Sequence, residues 1–430
     1  MENQLMKKLL ASKAFRYTLA FLCGGLFIEL IHSFGYATTV GSSTASAYKE
    51  ASATPISFPS AGIIDYQTRV TEAVEDLNNK YMESMQVKSF PPVKKLPTYQ
   101  RMRILVTGGA GFVGSNLVDL LMWQGHEVVV VDNFFTGRKE NVRHWIGHPN
   151  FELRHHDVCQ PLFMEVDRIY HLASPASPPH YMYNPIKTIK TNTEGTANML
   201  GIARRVKSRI LFTSTSEVYG DPKEHPQRET YWGNVNPIGP RACYDEAKRL
   251  GETLMYSYQK QCNVDVRVVR IFNTFGPRMH PNDGRVVSNF IIQALQNQTI
   301  TIYGSGDQTR SFQFVDDLVR GLNAVMEGNV TSPVNLGNPE EFKIVDFARL
   351  IIRLTGSSSK LHFLPKSKDD PSRRRPDISK ARAELGWKPS VSVKQGLVKT
   401  IAYFRDQLEK NGGTLKTVGQ APQKPGFAVH

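Results

Sequence analysis

Cysteine is scarce: Cys23, Cys159, Cys243 and Cys262 are the only four in 430 residues. No two stand at metal-ligand spacing and none suggests a disulfide framework, so no metal site is expected and the redox compartment stays open. Zinc-finger spacings and RNA-binding signatures are missing as well, and the basic residues are dispersed rather than clustered. The net charge of +14 therefore fits a phosphorylated small ligand and basic chain ends better than nucleic acid. Long apolar runs are wanting too. The best candidate, residues 17–37, is broken by Glu29 and His32, leaving 17–28 uninterrupted.

That segment is nonetheless informative. Lys7, Lys8, Lys13 and Arg16 precede it and almost no positive residue follows closely, which predicts a cytosolic N-terminus and a lumenal remainder. Its length just crosses a hydrocarbon core of about 30 Å. The expectation is a type II anchor, with residues 1–16 cytosolic and 17–37 in the membrane. A cleaved signal, offered by Ala45-Ser46-Ala47, is the alternative. Residues 38–60, rich in Ser, Thr, Ala and Gly, read as a flexible stem. Ile63, Tyr66, Val70, Ala73, Leu77 and Tyr81 then recur at heptad-like intervals, as a short dimerising stalk or a helix resting on the enzyme body. Prolines 91, 92 and 97 end the stem (38–100), and the globular part is expected from Arg101.

From there the chain alternates. A buried strand, 103–107, enters Gly108-Gly109-Ala110-Gly111-Phe112-Val113-Gly114, and a helix to about Gln124 carries an apolar stripe of Val113, Leu117, Leu120 and Leu121. A second strand, 127–131, ends in Asp132. Glycines permit a tight turn and close approach of the backbone to a pyrophosphate at the helix N-terminus. An acid about 20 residues on completes the dinucleotide fingerprint. Asp132 is placed to accept from ribose hydroxyls and would repel a 2′-phosphate, so NAD is expected rather than NADP. Strands at 151–154, 168–174, 209–213 and 264–271, with a long helix at 184–205, predict a parallel doubly wound sheet over 101–272. Asp157, after the third strand, is placed to meet adenine.

Strand five delivers Ser214-Thr215-Ser216-Glu217-Val218-Tyr219-Gly220, and Tyr244-Asp245-Glu246-Ala247-Lys248 comes after it. Residues four apart share a helix face, so Tyr244 and Lys248 point together. A fixed ammonium beside a phenol favours the phenolate and makes it a usable general base. Spacing alone is weak, since such pairs usually only support a helix; the upstream elements give it weight. For Glu217 the bland alternative is a turn or cap acid, and for Arg374, flanked by Arg373 and Arg375, a solvated basic run.

Taken together with Asp132-Asn133-Phe134-Phe135-Thr136-Gly137-Arg138, Leu172-Ala173-Ser174-Pro175-Ala176-Ser177-Pro178-Pro179, Pro240-Arg241-Ala242-Cys243, Asn273-Thr274-Phe275-Gly276-Pro277-Arg278 and Asn282-Asp283-Gly284-Arg285, these motifs resemble the extended short-chain dehydrogenase/reductase family. Within it they are most similar to the UDP-glucuronic acid decarboxylases, over about residues 101–405. The resemblance implies catalytic roles for Tyr244, Lys248, Thr215, Glu217 and Arg374. It implies NAD contacts from Gly108, Gly111, Phe112, Val113 and Gly114, and from Asp132, Asn133, Phe135, Thr136 and Gly137. Asp157, Val158, Leu172, Ser174, Tyr244 and Lys248 would complete that set. A nucleotide-sugar site would comprise Tyr181, Lys190, Asn273, Arg285, Tyr303 and Arg310, with Arg285 and Arg310 facing the diphosphate. Family 4,6-dehydratases place an Asp before the Glu, where this chain has Ser216, and galactose-type 4-epimerases typically lack the Glu.

The same resemblance implies a Rossmann-type domain with a smaller C-terminal α/β substrate lobe (mainly 273–405), whose chain crosses back to the Rossmann domain. The implied reaction converts UDP-glucuronic acid to UDP-xylose through a 4-keto intermediate, with NAD regenerated in each cycle. A UDP-glucuronate 4-epimerase or a non-catalytic NAD-binding protein are the competing readings. The family also implies a homodimer built on a four-helix bundle of 184–205 and 244–261, and a Golgi membrane location with the catalytic domain lumenal. Asn297 and Asn329 head glycosylation sequons, usable only in a lumen. Residues 406–430 are expected to form a disordered tail.

Overall fold

Short apolar stretches alternating with amphipathic ones need helices on both faces of a parallel sheet. The computed structural model describes residues 89–365 and 373–415, together with Val74. The expected anchor, most of the stem and the end of the tail lie outside the described residues.

Seven parallel strands form the central sheet: β1 (Arg103–Thr107), β2 (Glu127–Asp132), β3 (Phe151–His155), β4 (Arg168–His171), β5 (Arg209–Thr215), β6 (Val266–Ile271) and β7 (Val334–Leu336). Their order is β7-β6-β5-β4-β1-β2-β3. The chain therefore reverses direction across the sheet between β1 and β4, and ligands of such sheets bind in the crevice at that switch point, beyond the strand C-termini. Alternate side chains leave opposite faces of a strand. Ile104 and Val106 thus join the core on one face, with Val128, Val130 and Leu117, while Leu105, Val129, Phe212, Met199 and Met255 build the core on the other.

Helix α1 (Phe112–Trp123) follows β1, and α2 (Pro185–Val206) packs along α3 (Ala242–Cys262). Gly251 of α3 sits against the Phe212 ring, where an added Cβ would come within 2.5 Å of it. That close approach lets Lys248 reach the end of β5.

After β6 the chain builds the smaller lobe from short pieces, α4 (Val286–Leu295), α6 (Ile344–Thr355) and two- to four-residue strands, while α5 (Val315–Glu327) packs back on the main sheet beside α1. Between α5 and α6 it returns to the main sheet as β7, parallel to β6. Arg373–Arg374 pairs with Thr309–Ser311 in a register that sets Arg374 opposite Arg310. Residues 89–100, assigned to the stem, belong to the body: the Lys94 N–H donates to Trp123 O (3.0 Å) and Phe90 meets the His148 ring edge-on. Helix α7 (Val393–Lys410) continues past 406, where a tail was expected to begin. Its polar composition hides a buried stripe, Leu397, Ile401, Phe404 and Leu408, and Ser392 with Gln395 closes a capping box at its start.

Candidate active site

A cleft of about 520 Å³ opens at the C-terminal edge of β1, β4, β5 and β6. One end is made by the glycine loop. Gly108 has φ +71°, and a Cβ on Gly114 would lie 2.1 Å from Gly108 O, so β1 and α1 close up as only glycine permits. Gly111 is the N-cap of α1, and the unpaired N–H groups of a first helical turn are a ready anion site. Asp132 is buried: its carboxylate accepts from Ala110 N–H (3.0 Å) and Phe134 N–H (2.9 Å). Burial raises its pKa and those N–H groups oppose the rise. Spare lone pairs remain for hydroxyl donors. A glycine cradle, a helix N-terminus and a strand-end carboxylate together fit the pyrophosphate and ribose of a dinucleotide.

Phe112, Val113, Gly114, Asn133, Phe135 and Thr136 line this end, as do Val158, Leu172 and Ser174. Gly137 stands behind them, where a Cβ would be 2.7 Å from the Asp132 carboxylate. Asp157 is not on the wall either. Partial burial raises its pKa, but Lys187 (2.7 Å) and the Cys159 N–H (3.0 Å) bring it down to about 2.

At the centre stand Tyr244 and Lys248 on one face of α3. Lys248 Nζ donates to Thr213 O (2.8 Å) and lies 4.7 Å from the Phe212 ring centroid and 5.8 Å from that of Tyr244. The Tyr181 ring stacks on Tyr244 at 4.9 Å, tilted by 5°. Burial pushes Tyr244 up to about 12, against the Arg285 guanidinium and a hydrogen bond with Thr215. Burial pulls Lys248 down to about 7, opposed by Glu252. The expected lowering of the phenol by Lys248 is thus outweighed: the lysine turns toward the strand carbonyl, and Arg285 and Thr215 are the groups that favour the phenolate.

The sugar end is ionic. Thr215 caps the turn Ser216–Tyr219 by accepting from Glu217 N–H (3.2 Å), which aims Glu217 into the cleft. Its Oε1 meets Arg374 Nη1 at 2.5 Å and its Oε2 meets Arg241 Nη2 at 2.9 Å. Burial alone would raise this acid, but the arginines hold it at about 2. Glu217 is therefore ionised and gripped by two arginines. Arg285 donates to Ala176 O and stands 3.5 Å from Asp283; Arg310 is nearly buried, with Nη1 donating to Thr309 O (2.8 Å). Both line the cleft, as do Asn273 and Tyr181.

Two residues expected at the nucleotide-sugar site are elsewhere. Lys190 lies on the outer face of α2, paired with Glu194 at 3.7 Å, because the cleft-facing positions of that helix are 187, 188 and 191. Tyr303 ends a strand of the small lobe with its side chain in solvent. Arg241 was missed as a site residue, although its spacing to Tyr244 and Lys248 puts all three on one helix face. Lys187, one turn before Lys190 on the inner face, was missed with it.

Comparison with known proteins bears on this geometry. The GDP-mannose 4,6 dehydratase family model matches residues 105–400. A protein of Xenopus tropicalis named UDP-glucuronic acid decarboxylase 1 is 65% identical over 80% of this chain and 82% of its own. UDP-glucuronic acid decarboxylase 4 of Arabidopsis thaliana is 60% identical over 71% of this chain and 69% of its own. The chain belongs to the UDP-glucuronic acid decarboxylase family of extended short-chain dehydrogenases/reductases. Among solved structures, it resembles a UDP-glucuronic acid 4-epimerase from Bacillus cereus in complex with UDP-glucuronic acid and NAD. That match has 29% identity and a TM-score of 0.65, over 71% of this chain and all (100%) of the epimerase. A dTDP-glucose 4,6-dehydratase from Streptomyces venezuelae with NAD bound matches at 27% and a TM-score of 0.66, over 72% and 98% of the two chains. The fold is thus shared with proteins named for different reactions, a 4-epimerase and a 4,6-dehydratase.

Proposed function

We propose that the protein is a UDP-glucuronate decarboxylase that makes UDP-xylose, using and regenerating NAD in each cycle. The observation that carries this is the convergence, in one cleft, of Tyr244, Thr215 and the Glu217–Arg374 pair with a dinucleotide cradle. The glycine loop and Asp132 would hold NAD, which would supply a reversible hydride acceptor for C4 of the sugar. Tyr244 takes the proton of the C4 hydroxyl, assisted by Thr215 and Arg285, so that a 4-ketone forms. That ketone is β to the C6 carboxylate, and loss of carbon dioxide leaves an enolate with charge on O4. The protonated Tyr244 is then a hydrogen-bond donor aimed where that charge develops. C5 takes a proton before the ketone is reduced. Because Glu217 is held ionised by two arginines, water is the better source of that proton.

Incubating the protein with UDP-glucuronate and following carbon dioxide, sugar product and NADH tests this reading. Carbon dioxide with UDP-xylose and no net NADH is expected, with deuterium at C4 retained and solvent hydrogen entering at C5. A 4-epimer without carbon dioxide would identify the competing activity, and absence of turnover a binding protein.

The protein also acts, in this proposal, as a homodimer. The outer faces of α2 and α3 expose Ile186, Ile189 and Leu250, an apolar surface that a second copy of the same helix pair would cover. Sedimentation of I186E/L250E as a monomer is the expected outcome. A Golgi membrane location with the catalytic domain in the lumen accords with the basic-then-apolar N-terminal pattern and with exposed Asn297 and Asn329. A shift in mobility on deglycosylation tests it.

A further inference from the structure

Two arginines grip one carboxylate at the sugar end of the cleft. Glu217 comes from the turn after β5, Arg374 from a strand of the small lobe, and Arg241 from the N-cap of α3. The side chains of Arg374, Glu217 and Arg241 are 3%, 15% and 17% exposed, so water screens these pairs poorly. Each arginine takes its own oxygen of Glu217, and Arg374 spends a further donor on Gly220 O (3.1 Å). Arg374 is therefore held by protein acceptors on two sides.

The reaction proposed above, on which this inference rests, makes that arrangement consequential. A cation paired with the carboxylate of the sugar would stabilise the substrate more than the departing neutral carbon dioxide, and would raise the barrier. A decarboxylase therefore gains if nearby arginines are already engaged. We propose that Arg241 is a positioning residue: by holding the second oxygen of Glu217 it commits Arg374 to a protein carboxylate and withholds it from the carboxylate of the sugar. With Arg241 gone, Glu217 hangs on one partner. An incoming carboxylate or a proton then displaces it more easily, and Arg374 is released to pair with the sugar acid. Arg241 also heads the helix that carries Tyr244, so one residue ties the ionic clamp to the proton acceptor.

Glu217 is faced by Arg374, Arg241 and Arg285, by Asp245 and Tyr244 of α3, and by Tyr181. Burial, then repulsion from Glu217, lifts Asp245 to about 8, so it stays protonated through the acid range in which Glu217 would titrate.

The test compares R241Q and R241K with the parent protein. R241Q is expected to lower kcat by about 10-fold or more while KM falls or stays level, because a released Arg374 favours bound substrate over the transition state. The acid limb of kcat is expected to move up by about one pH unit as Glu217 loses a cation, and R241K to recover most of both effects. A second reading needs no turnover: with carbon-13 in glutamate carboxyls, Glu217 (assigned by E217Q) stays ionised at pH 4 in the parent and begins to protonate there in R241Q. That titration is made without substrate, so it is independent of whether UDP-glucuronate turns over. A parental kcat in R241Q, a raised KM with an unmoved acid limb, or an unchanged Glu217 titration overturns the proposal. If R241Q does not fold, R241K is decided by the same titration, a single ammonium in place of the guanidinium fork giving a smaller shift in the same direction; no shift overturns it.

Discussion

The two ends of the cleft are built in opposite ways. At the dinucleotide end, Gly108, Gly111, Gly114 and Asp132 come from one strand-helix-strand unit, and backbone geometry dominates. At the sugar end, Glu217, Arg241, Arg285 and Arg374 come from four elements far apart in the chain and are held by charge. A unit made of local contacts is fixed by short-range backbone geometry, whereas an ionic cluster of this kind exists only once the fold has brought distant elements together.

Removing the group at the junction should do most damage. Y244F deletes only the phenol oxygen and keeps the ring stacked on Tyr181, so turnover should fall by at least about 10²–10⁴-fold with unchanged melting temperature. Normal turnover would show that the proton goes elsewhere. Next, G114A attacks the dinucleotide end alone. Its Cβ would meet Gly108 O at 2.1 Å, and the forced backbone shift should cost about 1–3 kcal/mol and deplete NAD in the purified protein. NAD content at the parental level would mean that the cradle has slack.

K248M separates chemistry from stability. Lys248 titrates at about 7 when folded against an ordinary 10.5, so the unfolded chain binds more protons between those values and stability rises with pH across that window. K248M should therefore abolish activity yet raise the melting temperature. The gain is full below pH 7 and gone by about 10.5, read by calorimetry at several pH values. A gain independent of pH would mean the lysine is not buried as a charge.

The smallest effects sharpen the comparison within one helix. K187A frees Asp157, whose pKa then rises, and should weaken NAD binding several-fold in a titration. K190A, at a solvent-exposed pair, should leave activity alone and change stability by about 0–1 kcal/mol. Equal effects would mean that α2 presents both lysines to the ligand.

The main-sheet strands from β1 to β6 and their helices were legible because alternating burial on a parallel sheet writes itself as short apolar runs. β7 was not, since a three-residue strand has no period to detect. Helix α7 was masked in part by polar residues that look like a tail until Phe404 and Leu408 are seen buried. Tyr244 and Lys248 were legible because one helix carries both. Lys190 was misplaced because resemblance at a position carries no information about which helix face it occupies. Arg241 was passed over because its partner, Glu217, lies 24 positions away in sequence and is brought to it only by the turn after β5.

The sequence by itself determined the nucleotide fold, the glycine cradle and the tyrosine-lysine pair, because each depends on contacts within a few residues or on the period of one element. Only the tertiary structure decided the charge states at the sugar end. Glu217 is ionised because two arginines from distant elements converge on it, and Lys248 is depressed because the fold removes water from around it. Coulomb energy and desolvation depend on distance and burial, and neither is written in the order of the residues.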